Sequence, residues 1–214
     1  MRTAPFALTV IASLGCALAL VAAPARAAEQ MRSVPAFTSV ETTGPFVIDI
    51  DVGPAQTVKA TGNEHFLELL RTEVIDGKLK ISLRDKVVTN IDDPHVSITV
   101  PSLNAFTMAG AGEVKIHHVS GDRLDVVFGG AGALKVDGKV RQFKLNVGGV
   151  GDIDTRALQA ENADVRVGGV GSVKVTATAR LDASVGGVGS LTYYGHPRIV
   201  NTSGGGLGSI DKGD

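Results

Sequence analysis

Leu145-Asn146-Val147-Gly148-Gly149-Val150-Gly151-Asp152-Ile153-Asp154 decides the fold, because its centre recurs along the second half of the chain. The related clusters are Gly110-Ala111-Gly112, Gly129-Gly130-Ala131-Gly132, Gly168-Gly169-Val170-Gly171, Gly186-Gly187-Val188-Gly189 and Gly205-Gly206-Leu207-Gly208. Measured between their last glycines, the steps are 20, 19, 20, 18 and 19 residues. A period this regular marks a repeat architecture rather than a set of unrelated turns.

Aligned on those glycines, the apolar residues fall into columns. The segments entering the clusters carry Phe106 and Met108, Val126 and Phe128, Leu145 and Val147, Val165 and Val167, and Ala183 and Val185. The segments leaving them carry Val114 and Ile116, Leu134 and Val136, Ile153, Val173 and Val175, and Leu191 and Tyr193. Alternation on both sides of a glycine bend predicts two short strands per repeat, stacked in parallel from one repeat to the next. The predicted fold is all-β: a parallel β-solenoid with about 19 residues per coil, its coils about 4.8 Å apart.

The predicted corners are Gly112, Gly132, Gly148, Gly149, Gly151, Gly168, Gly169, Gly171, Gly186, Gly187, Gly189 and Gly208. Glycine suits a sharp corner because it adopts positive φ freely and leaves room for the next coil. Polar columns are expected to form charge ladders across coils. One runs Lys115, Lys135, Asp154, Lys174, Thr192 and Asp211; another runs Asp125, Lys144, Asp164 and Asp182.

Outward from the repeats, residues 28–101 form a strand-rich region expected to cap one end of the stack. Phe46 to Val52, Lys78 to Leu83 and His95 to Val100 alternate like half-buried strands. Asn63 begins one short helix through Leu70, Asp76-Gly77 predicts a tight hairpin turn, and Asp92-Asp93-Pro94 a second turn. The solenoid itself is assigned to residues 102–214, closing on a polar C-terminal cap where Thr202, Gly204 and Lys212 interrupt the apolar columns.

Residues 1–27 read as a secretory signal peptide: Arg2, an apolar run from Phe6 to Ala23, and a small-residue site predicting cleavage after Ala27. Cys16, the only cysteine, lies inside that run, so the mature chain is expected to fold without disulfides. It keeps 19 basic and 22 acidic side chains, a net charge of −3, with no transmembrane span. With no basic cluster and no Trp, nucleic acid is not an expected partner.

No catalytic, cofactor or metal constellation is read from the sequence. Calcium-binding β-rolls need an Asp two residues after the third glycine of each turn. Here that position is Val114, Leu134, Ile153, Val173, Leu191 or Ile210. Each cluster leads into a strand, not the helix that a phosphate-binding loop requires. His117 and His118 are neighbours, but on a regular strand they would face opposite ways. Asp152 and Asp154 share an outward face and keep a glycan-active β-helix enzyme as the alternative. Asn201-Thr202-Ser203 matches a glycosylation sequon by chance.

The repeated Gly-Gly-Val-Gly clusters, the ending Leu191-Thr192-Tyr193-Tyr194-Gly195-His196-Pro197, and Asn63-Glu64 with Asp76-Gly77-Lys78-Leu79-Lys80-Ile81 resemble the putative auto-transporter adhesin head domain family, the head GIN domain. The resemblance implies an exported protein, periplasmic, extracellular or outer-membrane associated, with a β-helix-like fold and no established activity. The sequence up to Asp214 supplies no outer-membrane barrel, which would need many more strands, so a self-sufficient autotransporter is not expected. The expected role is a non-enzymatic interaction scaffold for an envelope protein or polysaccharide. An oligomer is a further expectation if one end or face carries an apolar patch.

Overall fold

The computed structural model describes residues 28–84 and 94–214. The signal peptide, its cleavage after Ala27 and the Asp92-Asp93 turn lie outside the described residues. In chain order the elements are β1 (Ala28–Met31), β2 (Ser39–Thr43), β3 (Pro45–Val52), β4 (Thr57–Gly62), α1 (Glu64–Leu69), β5 (Leu70–Ile75), β6 (Lys78–Leu83) and β7 (His95–Val100). They continue with β8 (Ala105–Met108), β9 (Ala111–Phe128), β10 (Ala131–Val147), β11 (Val150–Val167), β12 (Val170–Val185), β13 (Val188–Tyr194), β14 (Ile199–Gly204) and β15 (Ser209–Lys212).

The chain is a β-solenoid. Each long strand from β9 to β12 leaves one glycine cluster, bends midway and enters the next, so its two halves belong to different faces. Pairing between coils is parallel and follows the glycine alignment: Val150 lies beside Ala131 and Val170, and Gly151 beside Gly132 and Gly171. The ladders slip only at the midway bends, as between Val136 and Gly138. Six glycine-marked corners thus bound five turns of 18 to 20 residues.

The apolar columns form the core. Phe106, Val126, Leu145, Val165 and Ala183 are buried on one side, and Val114, Leu134, Ile153, Val173 and Leu191 on the other. A further inward column, Leu124, Phe143, Ala163 and Leu181, follows the midway bend. Thr155 occupies an inward position between Val136 and Val175 in the stack and is fully buried. Its hydroxyl donates to the Lys174 carbonyl at 2.8 Å, which removes the cost of burying it.

Part of the 28–101 stretch is itself coil. β2 pairs in parallel with β8, and β3 with the first half of β9, so β2, Gly44 and β3 make a rung under the Gly110 corner. β6 and β7 stack on the outer side of β2 and β3, although they come later in sequence. Beyond them pairing turns antiparallel: β5 lies on β6, β4 on β7, and β1 on β4.

Between β4 and β5, α1 carries Phe66 into the core, completely buried and 6.1 Å from the Phe46 ring. The Asn63 side chain caps the helix by accepting from the Phe66 N–H at 2.8 Å. Asp76 and Gly77 both have positive φ, 50° and 72°, as the two-residue hairpin turn between β5 and β6 demands. At the other end β14 is exposed throughout, and among the described residues no strand covers its outer edge.

Candidate interaction surface

At the corners, glycine is needed chiefly because two backbones meet. A Cβ on Gly149 would fall inside the van der Waals envelope of the Gly130 carbonyl oxygen, and one on Gly169 inside that of Gly149. The last glycines, Gly112, Gly132, Gly151, Gly171 and Gly189, stand in the same relation to the preceding rung, as does Gly187 to Gly169. Positive φ, expected at every corner, occurs within the clusters only at Gly112, Gly132, Gly171 and Gly206. Gly148 and Gly186 would give a Cβ open space, and Gly168 would meet only ordinary contact. Gly208 would meet the Val185 side chain.

The cluster amides are committed to the stack. Gly148 and Gly149 donate to the Phe128 carbonyl at 2.9 and 3.1 Å, and Val150 donates to Gly130 at 2.9 Å. These are the N–H groups that a phosphate-cradling loop would have to present.

The residue between the glycines points outward in every coil. Ala111, Ala131, Val150, Val170 and Val188 lie in one parallel register, and Leu207 takes the corresponding place in the last coil. Val150, Val170 and Val188 are 56%, 46% and 49% exposed, and Leu207 is 84% exposed. The result is an aliphatic ridge along one corner of the solenoid. Nothing in the packing requires apolar side chains there, since each points away from the core.

The charge ladders keep the expected register, with Asp154 between Lys135 and Lys174, but the ion pairs form differently. Asp154 is gripped by Arg156 two residues along its own strand, with Nη2–Oδ2 at 2.6 Å. Arg123 with Asp125, Arg166 with Asp164, and Arg180 with Asp182 repeat this same-strand arrangement. In Arg123, Arg156 and Arg180 the planar guanidinium holds both oxygens of a carboxylate two residues away on the same face, which a lysine on a neighbouring coil cannot do. The hydrogen bonds from Arg156 hold the Asp154 carboxyl below the usual carboxylate range, and those from Arg180 and Asn201 do the same for Asp182. Asp152 accepts from the Ser172 hydroxyl at 2.6 Å. The sequon residue Asn201 donates to Asp182 at 2.7 Å.

The histidines meet aspartates that sequence reading did not connect to them. His95 lies 2.8 Å from Asp49, His117 2.6 Å from Asp137, and His118 2.8 Å from Asp51. His118 has φ 56°, so the regular strand alternation assumed for His117 and His118 fails, and their rings lie 6.2 Å apart. Hydrogen bonding to Asp51 raises the His118 pKa. Partial burial pushes Asp137 up, but hydrogen bonds from the His118 N–H and the His117 ring outweigh it and leave the carboxyl low. Among the described residues no group of three or more His, Cys, Asp or Glu side chains is placed to hold a metal ion.

Beside these residues a shallow depression of about 490 Å³ is lined by His117, Lys135, Val136, Asp137, Asp154 and Arg156. Arg156 also lies over the Tyr194 ring at 5.9 Å. A rigid, parallel-stacked solenoid with a regular outer surface belongs to the architectures that present extended binding faces.

The chain belongs to the family described as "Putative auto-transporter adhesin, head GIN domain", whose model matches residues 36–197. The crystal structure of a putative adhesin from Bacteroides fragilis NCTC 9343 is similar at TM-score 0.71 and 25% identity, covering 88% of this chain and 97% of that one. A putative lipid binding protein from Parabacteroides distasonis ATCC 8503 matches at TM-score 0.47 and 19% identity, with 89% and 98% coverage. A putative adhesin from Parabacteroides merdae ATCC 43184 matches at TM-score 0.48 and 13% identity, again with 89% and 98% coverage. A search of curated proteins returned no match. Among the described residues, no helix is long and apolar enough to cross a membrane.

Proposed function

We propose that this chain is a non-enzymatic, adhesin-like scaffold of the cell envelope, exported through its N-terminal leader, that binds an envelope protein or polysaccharide. The observation that carries this reading is the aliphatic ridge. Val150, Val170, Val188 and Leu207 keep apolar groups in water at positions the fold leaves free to be polar, and such patches mark interaction sites. Family membership supports the adhesin-like role.

The test compares the natural chain with Val150→Ser/Val170→Ser/Val188→Ser for binding to isolated envelope proteins and surface polysaccharide. These changes leave every corner glycine in place, so the circular dichroism spectrum should be retained while affinity falls at least tenfold. Equal binding by both proteins, or binding by neither, would refute the ridge as the contact.

A further inference from the structure

The two ends of the stack are finished differently. At the N-terminal end both faces pass from parallel to antiparallel pairing, with β5 on one face and β4 and β1 on the other, while α1 sets Phe66 into the core. The outermost strands there carry the usual protections against edge pairing: β1 has four residues and includes Glu29, and β5 includes Arg71 and Glu73. At the C-terminal end, β15 is likewise short and carries Asp211 and Lys212, but β14 reads Ile199-Val200-Asn201-Thr202-Ser203-Gly204 and contains no charge. Among the described residues it pairs only with β12, so its other edge presents backbone donors and acceptors with no strand partner there. Ile199 is 48% exposed and Val200 40%, and Leu207 stands on the same terminal rung.

We propose that this end is the interface of a two-fold, tail-to-tail dimer, in which β14 of one copy pairs antiparallel with β14 of a second copy. Three observations select a second copy as the occupant. The edge is a template for a β-strand, since another backbone can pair with its whole row of N–H and C=O groups at once. An antiparallel strand is the solution this fold already uses at its other end, where β4 and β5 cover parallel rungs. The guarded N-terminal edges disfavour head-to-tail stacking, which leaves the self-complementary contact that closes at two copies. Ile199, Val200 and Leu207 then leave water where the two ends meet.

Sedimentation velocity of the purified chain, from about 1 to 100 μM, is the direct measurement. A dimer is expected, and Ile199→Lys/Leu207→Lys should weaken it at least tenfold; both side chains are exposed, so the thermal midpoint of the dissociated chain should hold. Val127→Lys, an exposed position on a coil face, should leave the dimer intact. Hydrogen exchange of the natural chain gives a readout independent of any variant: the β14 amides should exchange more slowly as concentration rises, with those of β5 unchanged. A monomer across the whole range, a dimer insensitive to the double substitution, or concentration-dependent protection anywhere except the C-terminal rung would overturn the proposal.

Discussion

Thr42 faces inward on β2, 2% exposed, and its hydroxyl finds no hydrogen-bond partner among the described residues. Thr155, equally buried, donates to a carbonyl. The contrast predicts that Thr42→Val raises stability by about 1 kcal/mol, because a desolvated, unpaired hydroxyl is replaced by a methyl of the same shape; urea denaturation reads this directly. The ionisable residues give a second prediction. Asp154, Asp137 and Asp182 have depressed pKa values in the folded chain. Their contribution to stability is present above the unfolded carboxylate value, about 3.9, and is lost as pH falls through the folded values. His118 has the opposite sign: its contribution is complete below about pH 6.5 and disappears as pH rises through its raised folded pKa. A proton-NMR titration should place His118 above its ordinary value in the natural chain and lower it in Asp51→Asn. The Arg and Asp pairs were open to reading from their spacing of two. The histidine contacts were not, since they depend on a backbone reversal at His118 and on strands separated by 67 residues.

At the level of elements, α1 shows how little helix is needed to close a solenoid. It has six residues, one of them buried, and its last carbonyls are tied down by the Leu70 N–H and by Arg32, whose Nη2 donates to Leu67 at 2.6 Å. Phe66→Ala should cost about 3 to 5 kcal/mol, the range for emptying a fully packed aromatic site. Asn63→Ala should cost about 1 kcal/mol through loss of the cap; chemical denaturation separates the two. The helix, the Asp76-Gly77 turn and strands β6 and β7 were all legible, because their signals are local. The rungs formed by β2 with β3 and by β6 with β7 were not. The first has only Gly44 where the repeats have a cluster. The spatial order also departs from chain order, β6 and β7 lying outside β2 and β3. Periodicity reveals which residues face inward, but it cannot reveal which strand is whose neighbour when the path doubles back.

Across the whole molecule, stability and binding are divided between two sets of positions. In the clusters from Gly110 to Gly189, the glycines on either side of the middle residue let one coil settle on the next, and that middle residue carries the exposed ridge. A stack of this kind is stabilised by contacts between adjacent coils, so a defect at one corner weakens the rungs on either side. Gly148 and Gly149 test the division most directly, since they are adjacent in sequence and opposite in environment. Gly149→Ala should lower the thermal midpoint, losing about 1 to 3 kcal/mol as the Cβ forces the Gly130 carbonyl away. Gly148→Ala, placed in open space at an ordinary φ, should leave the midpoint unchanged or raise it, by up to about 1 kcal/mol. Equal midpoints for the two variants would contradict the claim that close approach between coils, and not glycine flexibility in general, builds this stack.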